Sequence, residues 1–247
     1  MATIRIGTSG WAYPHWRGPF YPPEVRKRDW LNYYGERFNA AEINASFYRV
    51  PKAETFRGWA EAVPADFAFT VKASRYITHM KKLKNGADSV QRFLEPVHAL
   101  GDRLGPILFQ LPPSWHRDLE RLQAFLRALP GDHRYAFEFR DPSWFDPAVL
   151  AALREAGAAL CIHQLEDVEA PPEVTADFVY VRLHGPGEAY TGRYDDAALA
   201  GWAERIRGWA DSGLDVYCFF DNDDAGNAPC DAERLRTALR DSGARKG

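Results

Sequence analysis

The chain has 247 residues, of which 46% are hydrophobic and 26% charged, and its formal net charge at pH 7 is -3. This composition is typical of a globular protein and excludes a largely disordered one, and the small negative charge gives no overall reason to expect a nucleic-acid or anionic-membrane partner. No apolar run approaches the ~20 residues needed to span a bilayer, so we expect no membrane partner.

The first residues and the cysteines both bear on the compartment. The start, MATIRIGTSGW, lacks a basic segment followed by a long apolar run, so we expect a cytoplasmic protein. Cys161, Cys218 and Cys230 are odd in number and form no C-x-x-C, which argues against a disulfide framework or a zinc knuckle. We therefore expect reduced cysteines.

Short apolar runs recur along the chain and predict strands. In chain order they are TIRIG from Thr3, FNAAEIN from Phe38, FAFTVKA from Phe67, PILFQL from Pro106, YAFEFR from Tyr135, AALCIH from Ala158, FVYVRLH from Phe178 and DVYCFF from Asp215. Most are separated by segments with apolar residues at i, i+3, i+4 and i+7, a spacing typical of helices that bury one face. Those stripes begin at Phe56, Val90, Leu119 and Leu199.

The alternation of strands and helices predicts an α/β fold. Eight strands joined by crossover helices are parallel, and eight is the number that closes a TIM-like (β/α)8 barrel. Residues 166–177, EDVEAPPEVTAD, have two adjacent prolines and little periodicity, which predicts a loop or a single turn where the sixth helix would stand. With no long linker or repeat in the sequence, we predict one domain over residues 1–247.

Polar residues recur at the carboxyl ends of the predicted strands, where the active sites of such barrels lie. Because side chains alternate across a strand, one inward face can be assigned on each strand. The inward polar residues are Glu42, Asn44, Lys72, Gln110, Glu138, Arg140, His163, Arg182 and His184, and after the eighth strand either Asn222 or Asp223.

Charges inside a closed barrel must pair with one another or bind a ligand, since isolated burial costs several kcal/mol. A structural ion-pair network is one interpretation. The recurrence of the same position on successive strands favours a site. Lys72, Arg140 and Arg182 suit a phosphate or carboxylate, and Glu42 and Glu138 suit either a general base and acid or fixed salt-bridge partners.

The sequence has no strong metal or nucleotide motif, so we assign no metal ligands and the cofactor is unknown. It has no H-E-x-x-H, no H-x-H, no G-x-x-x-x-G-K-[ST] and no G-x-S-x-G. DNDDAG resembles the start of a calcium loop, but the fifth position is Ala225 and the twelfth is Ala232. Aromatic residues such as Trp11, Tyr13 and Tyr48 crowd the loops, where they either lock the loops or stack on bases and sugars.

Seven motifs occur in order from Ile4 to about Ala238: GTSGWAYPHWRGPFYP, EINASFYRVP, FTVKASRYITH, LGPILFQLPPSW, FEFRDPSW, YVRLHG with YTGRY, and CFFDNDDAGNAPCDA. They resemble the motif set of the YecE-like domain-of-unknown-function family (DUF72). The resemblance implies a TIM-like barrel and no established activity. Its motifs fall on Glu42, Asn44, Tyr48, Lys72, His79, Gln110, Glu138, Arg140, Arg182, His184, Asn222 and Asp223. The segment around His163 matches none of them.

Three functions follow as hypotheses. The first is an enzyme on a small anionic, phosphate-bearing substrate, for example a phosphoester hydrolase, with Glu42, Glu138 and His184 as catalytic residues and the other motif residues binding substrate. The second is a nucleic-acid binding or processing protein that uses the aromatic loops. The third is a carbohydrate-active barrel whose two glutamates lie ~5 to 9.5 Å apart.

Overall fold

The structure is a computed structural model, and it describes residues 2–165 and 168–243. The strands are β1 Ile4–Thr8, β2 Ala40–Ile43, β3 Ala68–Lys72, β4 Leu104–Leu111, β5 Tyr135–Phe139, β6 Ala159–Leu165, β7 Val168–Glu169, β8 Phe178–Leu183 and β9 Asp215–Phe220. The α-helices are α1 Trp30–Gly35, α2 Ala45–Tyr48, α3 Ala53–Glu61, α4 Gly86–Val97, α5 Leu119–Arg127, α6 Pro147–Glu155, α7 Asp196–Asp211 and α8 Asn227–Gly243. Over the described ranges, no helix is both long and apolar enough to cross a membrane.

Eight of the strands form a nearly closed parallel barrel in the order β1-β9-β8-β6-β5-β4-β3-β2, which confirms the predicted TIM-like fold. Between β6 and β8, the described residues 168–177 contain no helix, as the adjacent prolines predicted. The difference from the prediction is β7, a two-residue strand antiparallel to β6. Residues 166–167 of the predicted loop lie outside the described residues.

The seam between β1 and β2 is closed mainly by side chains. The backbone of these strands is linked by a single bridge from Ser9 to Glu42 and by a 2.8 Å hydrogen bond from Gly10 N to Glu42 O. The Cβ of any other residue at position 7 would lie 1.9 Å from Ala40 O, so Gly7 permits the close approach of the two strands.

Few backbone hydrogen bonds join β1 to β2, and the side chains of Tyr34 and Asn39 bond to backbone groups at this seam instead. The Tyr34 hydroxyl, from α1, accepts from Thr8 N at 2.8 Å and donates to Ala40 O at 3.1 Å. Asn39 accepts from Ile6 N at 3.0 Å and donates through Nδ2 to Ile4 O at 2.8 Å. Backbone groups that would otherwise be buried without partners are thereby satisfied.

The barrel interior is layered, with apolar residues below the polar ones. The interior apolar residues are Ala40, Ala68, Leu108, Ala136, Ala159, Cys161, Phe178, Tyr180, Tyr217 and Phe219. Outward-facing rings pack on the helices instead, as Phe137 does against Phe125 of α5 at 6.2 Å. The alternation assigned from the sequence is confirmed for β5, where Phe137 faces the helices and its neighbour Glu138 takes part in the interior network.

The hydrogen bonds of Tyr34 predict what removal of its hydroxyl oxygen does to stability. We expect Tyr34→Phe to lower the free energy of unfolding by about 1–3 kcal/mol, because it leaves the buried Thr8 N–H without an acceptor. Tyr33→Phe is the matched control, because no hydrogen bond to the Tyr33 hydroxyl occurs in the part of the chain that the structure describes. Urea denaturation of both variants measures the difference, and equal losses would contradict the role of Tyr34.

Candidate functional site

The polar layer of the barrel is organised around the fully buried side chain of Arg182, on β8. Its guanidinium contacts Glu42 with two nitrogens, Nη2 at 2.7 Å from Oε1 and Nε at 3.1 Å from Oε2. Its Nη1 donates to Glu138 Oε2 at 2.8 Å. One cation therefore joins carboxylates from β2 and β5, on different sides of the barrel.

A third carboxylate at Arg182 comes from Asp221, directly after β9. Arg182 Nη2 lies 2.9 Å from Asp221 Oδ2, and His184 Nδ1 lies 3.0 Å from the same oxygen. Burial alone would raise the pKa of Asp221, but Arg182 and His184 hold it at about 2. Asp221 is therefore ionised at neutral pH.

The inward carboxylate directly after β9 is Asp221, which the sequence did not single out, and Asn222 does not face the interior. Asn222 donates to Gly192 O at 2.8 Å and to Asp231 Oδ2 at 2.9 Å, behind the barrel wall. Asp223 accepts from Trp16 Nε1 at 2.6 Å. Extending the alternation from Tyr217 and Phe219 by one step would have found Asp221.

Glu42 has no free oxygen. In addition to Arg182, Oε1 accepts from Ser9 Oγ at 2.9 Å and Oε2 accepts from Tyr180 OH at 2.7 Å. The residue is fully buried. These contacts are those of a fixed salt-bridge partner, one of the two roles that the sequence left open.

Glu138 lies between two arginines. It accepts from Arg182 at one oxygen and from Arg140 Nε at the other. Burial alone would raise its pKa, but Arg140 and Arg182 hold the pKa of Glu138 well below its usual range. An ionised carboxylate has no proton to donate, so Glu138 has the properties of an acceptor that orients the arginines.

His184 is the inward residue after β8 and is also buried. Its Nε2 lies 3.4 Å from Arg140 Nη2 and 3.5 Å from Glu138 Oε1. The Tyr190 ring covers it edge to face at 5.4 Å, and the Tyr190 hydroxyl lies 3.2 Å from Arg140 Nη1. The neighbouring His163 is neutral, since burial lowers its pKa to about 4.

Lys72, at the end of β3, differs from the two arginines because its charge is not paired. Among the described residues, no hydrogen bond or ion pair reaches its ammonium group, which lies 4.6 Å from the centre of the Phe47 ring. Burial lowers the pKa of Lys72 to about 8, and the charge of Arg182 acts in the same direction. The residue keeps part of its surface exposed.

Charges of both signs act near Lys72, because Glu138, Glu42 and Asp221 oppose the lowering of its pKa. His79 packs edge to face on Phe47 at 5.0 Å. Burial lowers the pKa of His79, and Lys72, Arg140 and Arg75 lower it further. Three cations therefore lie near enough to His79 to oppose its protonation.

The remaining predicted residues lie around this group. Asn44 and Tyr48 line a cavity beside it. Gln110 donates to Leu111 O at 2.8 Å. The structure thus brings together Glu42, Glu138, Arg140, Arg182 and His184, with Lys72 and His79 adjacent. In the described part of the chain, no group of three or more His, Cys, Asp or Glu is arranged to hold a metal ion.

Comparison with known proteins places this geometry in a family. The family model described as "Protein of unknown function DUF72" matches residues 5–246. The UPF0759 protein YecE of Escherichia coli K12 is 35% identical over 144 residues, 58% of this chain and 50% of the relative, so the match spans half the length of that protein. The UPF0759 protein YunF of Bacillus subtilis 168 is 26% identical, covering 96% of this chain and 94% of the relative.

A solved structure agrees over nearly the full length. The crystal structure of a DUF72 family protein from Thermotoga maritima MSB8 has a TM-score of 0.87 and 26% identity, and the match covers 96% of this chain and 99% of that chain. The crystal structure of a putative vitamin-B12 independent methionine synthase from Listeria monocytogenes, with a TM-score of 0.55 and 12% identity, shares the fold alone.

The buried network predicts a large loss of stability on removing its centre. We expect Arg182→Met to lower the free energy of unfolding by about 3–5 kcal/mol, because three carboxylates lose a buried partner. Arg154→Met removes the surface pair with Glu173 and should cost less than about 1 kcal/mol. Similar losses in the two variants, measured by urea denaturation, would contradict the central place of Arg182.

The depressed pKa of Asp221 predicts a pH dependence. A carboxyl whose folded pKa is lowered stabilises the protein above its unfolded pKa of 3.8, and this stabilisation is lost as the pH falls toward about 2. We expect Asp221→Asn to remove about 2 kcal/mol of the fall in unfolding free energy between pH 5 and 2.

The control for this measurement is Asp177→Asn, which changes an exposed carboxyl paired with Arg134. It should leave the pH dependence as it is in the unsubstituted protein. If Asp221→Asn gives the same pH dependence as Asp177→Asn, Asp221 is not held ionised by the network.

Proposed function

The chain belongs to the DUF72 family, and on that premise we propose that the mouth of its barrel binds a small anionic, phosphate-bearing substrate and acts on it as a phosphoester hydrolase. The single observation that carries the proposal is the unpaired ammonium group of Lys72 beside Arg140, Arg75 and His79. We expect the protein to work in the cytoplasm, where its three free cysteines would stay reduced.

Lys72 is suited to the ligand because the other interior cations are already engaged. Arg182 donates to three carboxylates and is fully buried. Arg140 divides its donors between Glu138 and the Tyr190 hydroxyl. An anion that reaches Lys72 would gain a charge-assisted hydrogen bond without breaking an existing ion pair.

For the reaction we propose that His184 acts as the general acid or base, oriented by Asp221 at 3.0 Å. Tyr190 covers His184, and its backbone φ of 64° lies in the left-handed region that a tyrosine rarely adopts. Displacement of Tyr190 would expose His184 and free one nitrogen of Arg140. Glu42 and Glu138 would then hold the arginines in place.

The two glutamates do not suit a glycosidase with a Glu42–Glu138 catalytic pair. Such a pair needs one protonated carboxyl in contact with the sugar. The pKa of Glu138 is held low by its arginines, and both oxygens of the fully buried Glu42 are occupied.

Nucleic-acid binding is the second candidate, because a stretch rich in lysine and arginine begins at the end of β3, at the mouth of the barrel. Residues 72–84 carry five lysines and arginines and no acid, and two of these cations lie over exposed rings, Lys81 at 5.4 Å from Tyr76 and Arg75 at 5.8 Å from Tyr48. This candidate predicts steeply salt-dependent binding of single-stranded oligonucleotides. Absence of binding at low salt would exclude it.

The proposal predicts that Lys72 controls phosphate binding. We expect Lys72→Met to weaken the affinity for inorganic phosphate by about tenfold or more, as loss of one charge-assisted contact implies. Binding by the unsubstituted protein should weaken as the pH rises through about 8, because Lys72 then loses its proton. Isothermal titration calorimetry between pH 6.5 and 9 measures both effects.

The matched control is Lys81→Met, a rim lysine that packs over Tyr76, which should change the affinity less than about twofold. Equal phosphate affinity in Lys72→Met and Lys81→Met would overturn the anion site. Hydrolysis is tested separately with p-nitrophenyl phosphate and bis-p-nitrophenyl phosphate. Lys72-dependent binding without turnover of either would overturn the hydrolase assignment and leave the binding site.

A further inference from the structure

A cavity of about 290 Å³ opens next to the cationic side of the barrel mouth. Its lining includes Trp11, Tyr13, Asn44, Tyr48 and Trp59. Four of these residues are aromatic, and Trp11 and Trp59 meet edge to face at 5.2 Å. The hydroxyl of Tyr13 is turned to Ser9 O at 2.7 Å, so the lining offers ring surface rather than free donors.

Two aromatic rings, those of Tyr48 and Phe47, connect the cavity to Lys72. Tyr48 lines the cavity and packs edge to face on Phe47 at 5.1 Å. Phe47 in turn lies 4.6 Å from the ammonium group of Lys72, and the Arg75 guanidinium lies 5.8 Å from the Tyr48 ring. A ligand that fills the cavity would reach the cations by extending past these two rings.

Asn44 supplies an unused polar group to this lining. It stands at the N-cap of α2, where an asparagine side chain normally accepts a backbone hydrogen bond, yet it makes no capping bond. Its Oδ1 is buried and has no hydrogen-bond partner among the described residues. A buried carbonyl oxygen without a partner is costly, and a donor on a ligand would remove that cost.

We propose that this cavity is the ring subsite of the same active site, so that the substrate is an aryl or nucleoside monophosphate. The ring would stack against Tyr48 and Trp59, the Asn44 amide would contact its polar edge, and the phosphate would lie on Lys72. This inference rests on the proposed function. It narrows the substrate class from any phosphate-bearing molecule to one that also has a planar ring. Flat rings suit such a pocket because they bury area against aromatic faces.

Tyr48 is the best position for a test, because its side chain is 71% exposed and its removal does not open the core. Calorimetry would compare adenosine, ribose 5-phosphate and adenosine 5′-monophosphate as probes. We expect the monophosphate to bind about tenfold or more tightly than ribose 5-phosphate, from stacking of the base. Tyr48→Ala should remove that gain, so that the variant binds the monophosphate and ribose 5-phosphate with similar affinity.

Tyr76→Ala is the matched control, because Tyr76 is a half-exposed ring that does not line the cavity. It should preserve the gain from the base. Lys72→Met should reduce the affinity for the monophosphate to that for adenosine.

The outcomes separate the two proposals. Lys72-dependent binding of ribose 5-phosphate with no gain from the base overturns the ring subsite and leaves the anion site. Tyr48-dependent binding of adenosine with no gain from the phosphate overturns the monophosphate class together with the anion site. A gain from the base that survives Tyr48→Ala overturns the assignment of the ring to this cavity.

Discussion

The site depends on one buried cation. Arg182 is fully buried and joins carboxylates that come from β2, β5 and the end of β9. Because each of those carboxylates would be costly without it, the guanidinium fixes three strands relative to one another at the open end of the barrel. The neighbouring side chains, among them Tyr180 and His184, are oriented by the same ions.

That constraint divides the polar residues into two groups. Arg182 and Glu42 have all their partners within the protein, and Glu138 is held between two arginines. Lys72 lies against the Phe47 ring at the edge of this network with its charge unpaired, and the Asn44 amide lies beside an apolar cavity with its oxygen unused. The residues whose charges are paired hold the site in place. We expect a ligand to bind at Lys72 and Asn44, whose polar groups are unpaired.

Many of the interior polar residues were predictable from the sequence. The ones that were missed, and their partners, were missed for physical reasons. Period-two alternation on short parallel strands identified Glu138 and Arg182 as interior residues, because a closed barrel leaves only one inward face. It missed Asp221, since the strand signal ends at Phe220 and four acids or amides follow in a row. The ion-pair partners could not be predicted from the sequence either, because Glu42 and Arg182 are 140 residues apart and meet only when the barrel closes.

The most direct test of this account is the titration of Lys72 by NMR of its side-chain carbon signals, with and without inorganic phosphate. The account predicts a pKa near 8 for the free protein, because the ammonium is desolvated and unpaired, and a rise when phosphate binds. A pKa near the ordinary value of 10.5 that does not respond to phosphate would contradict it.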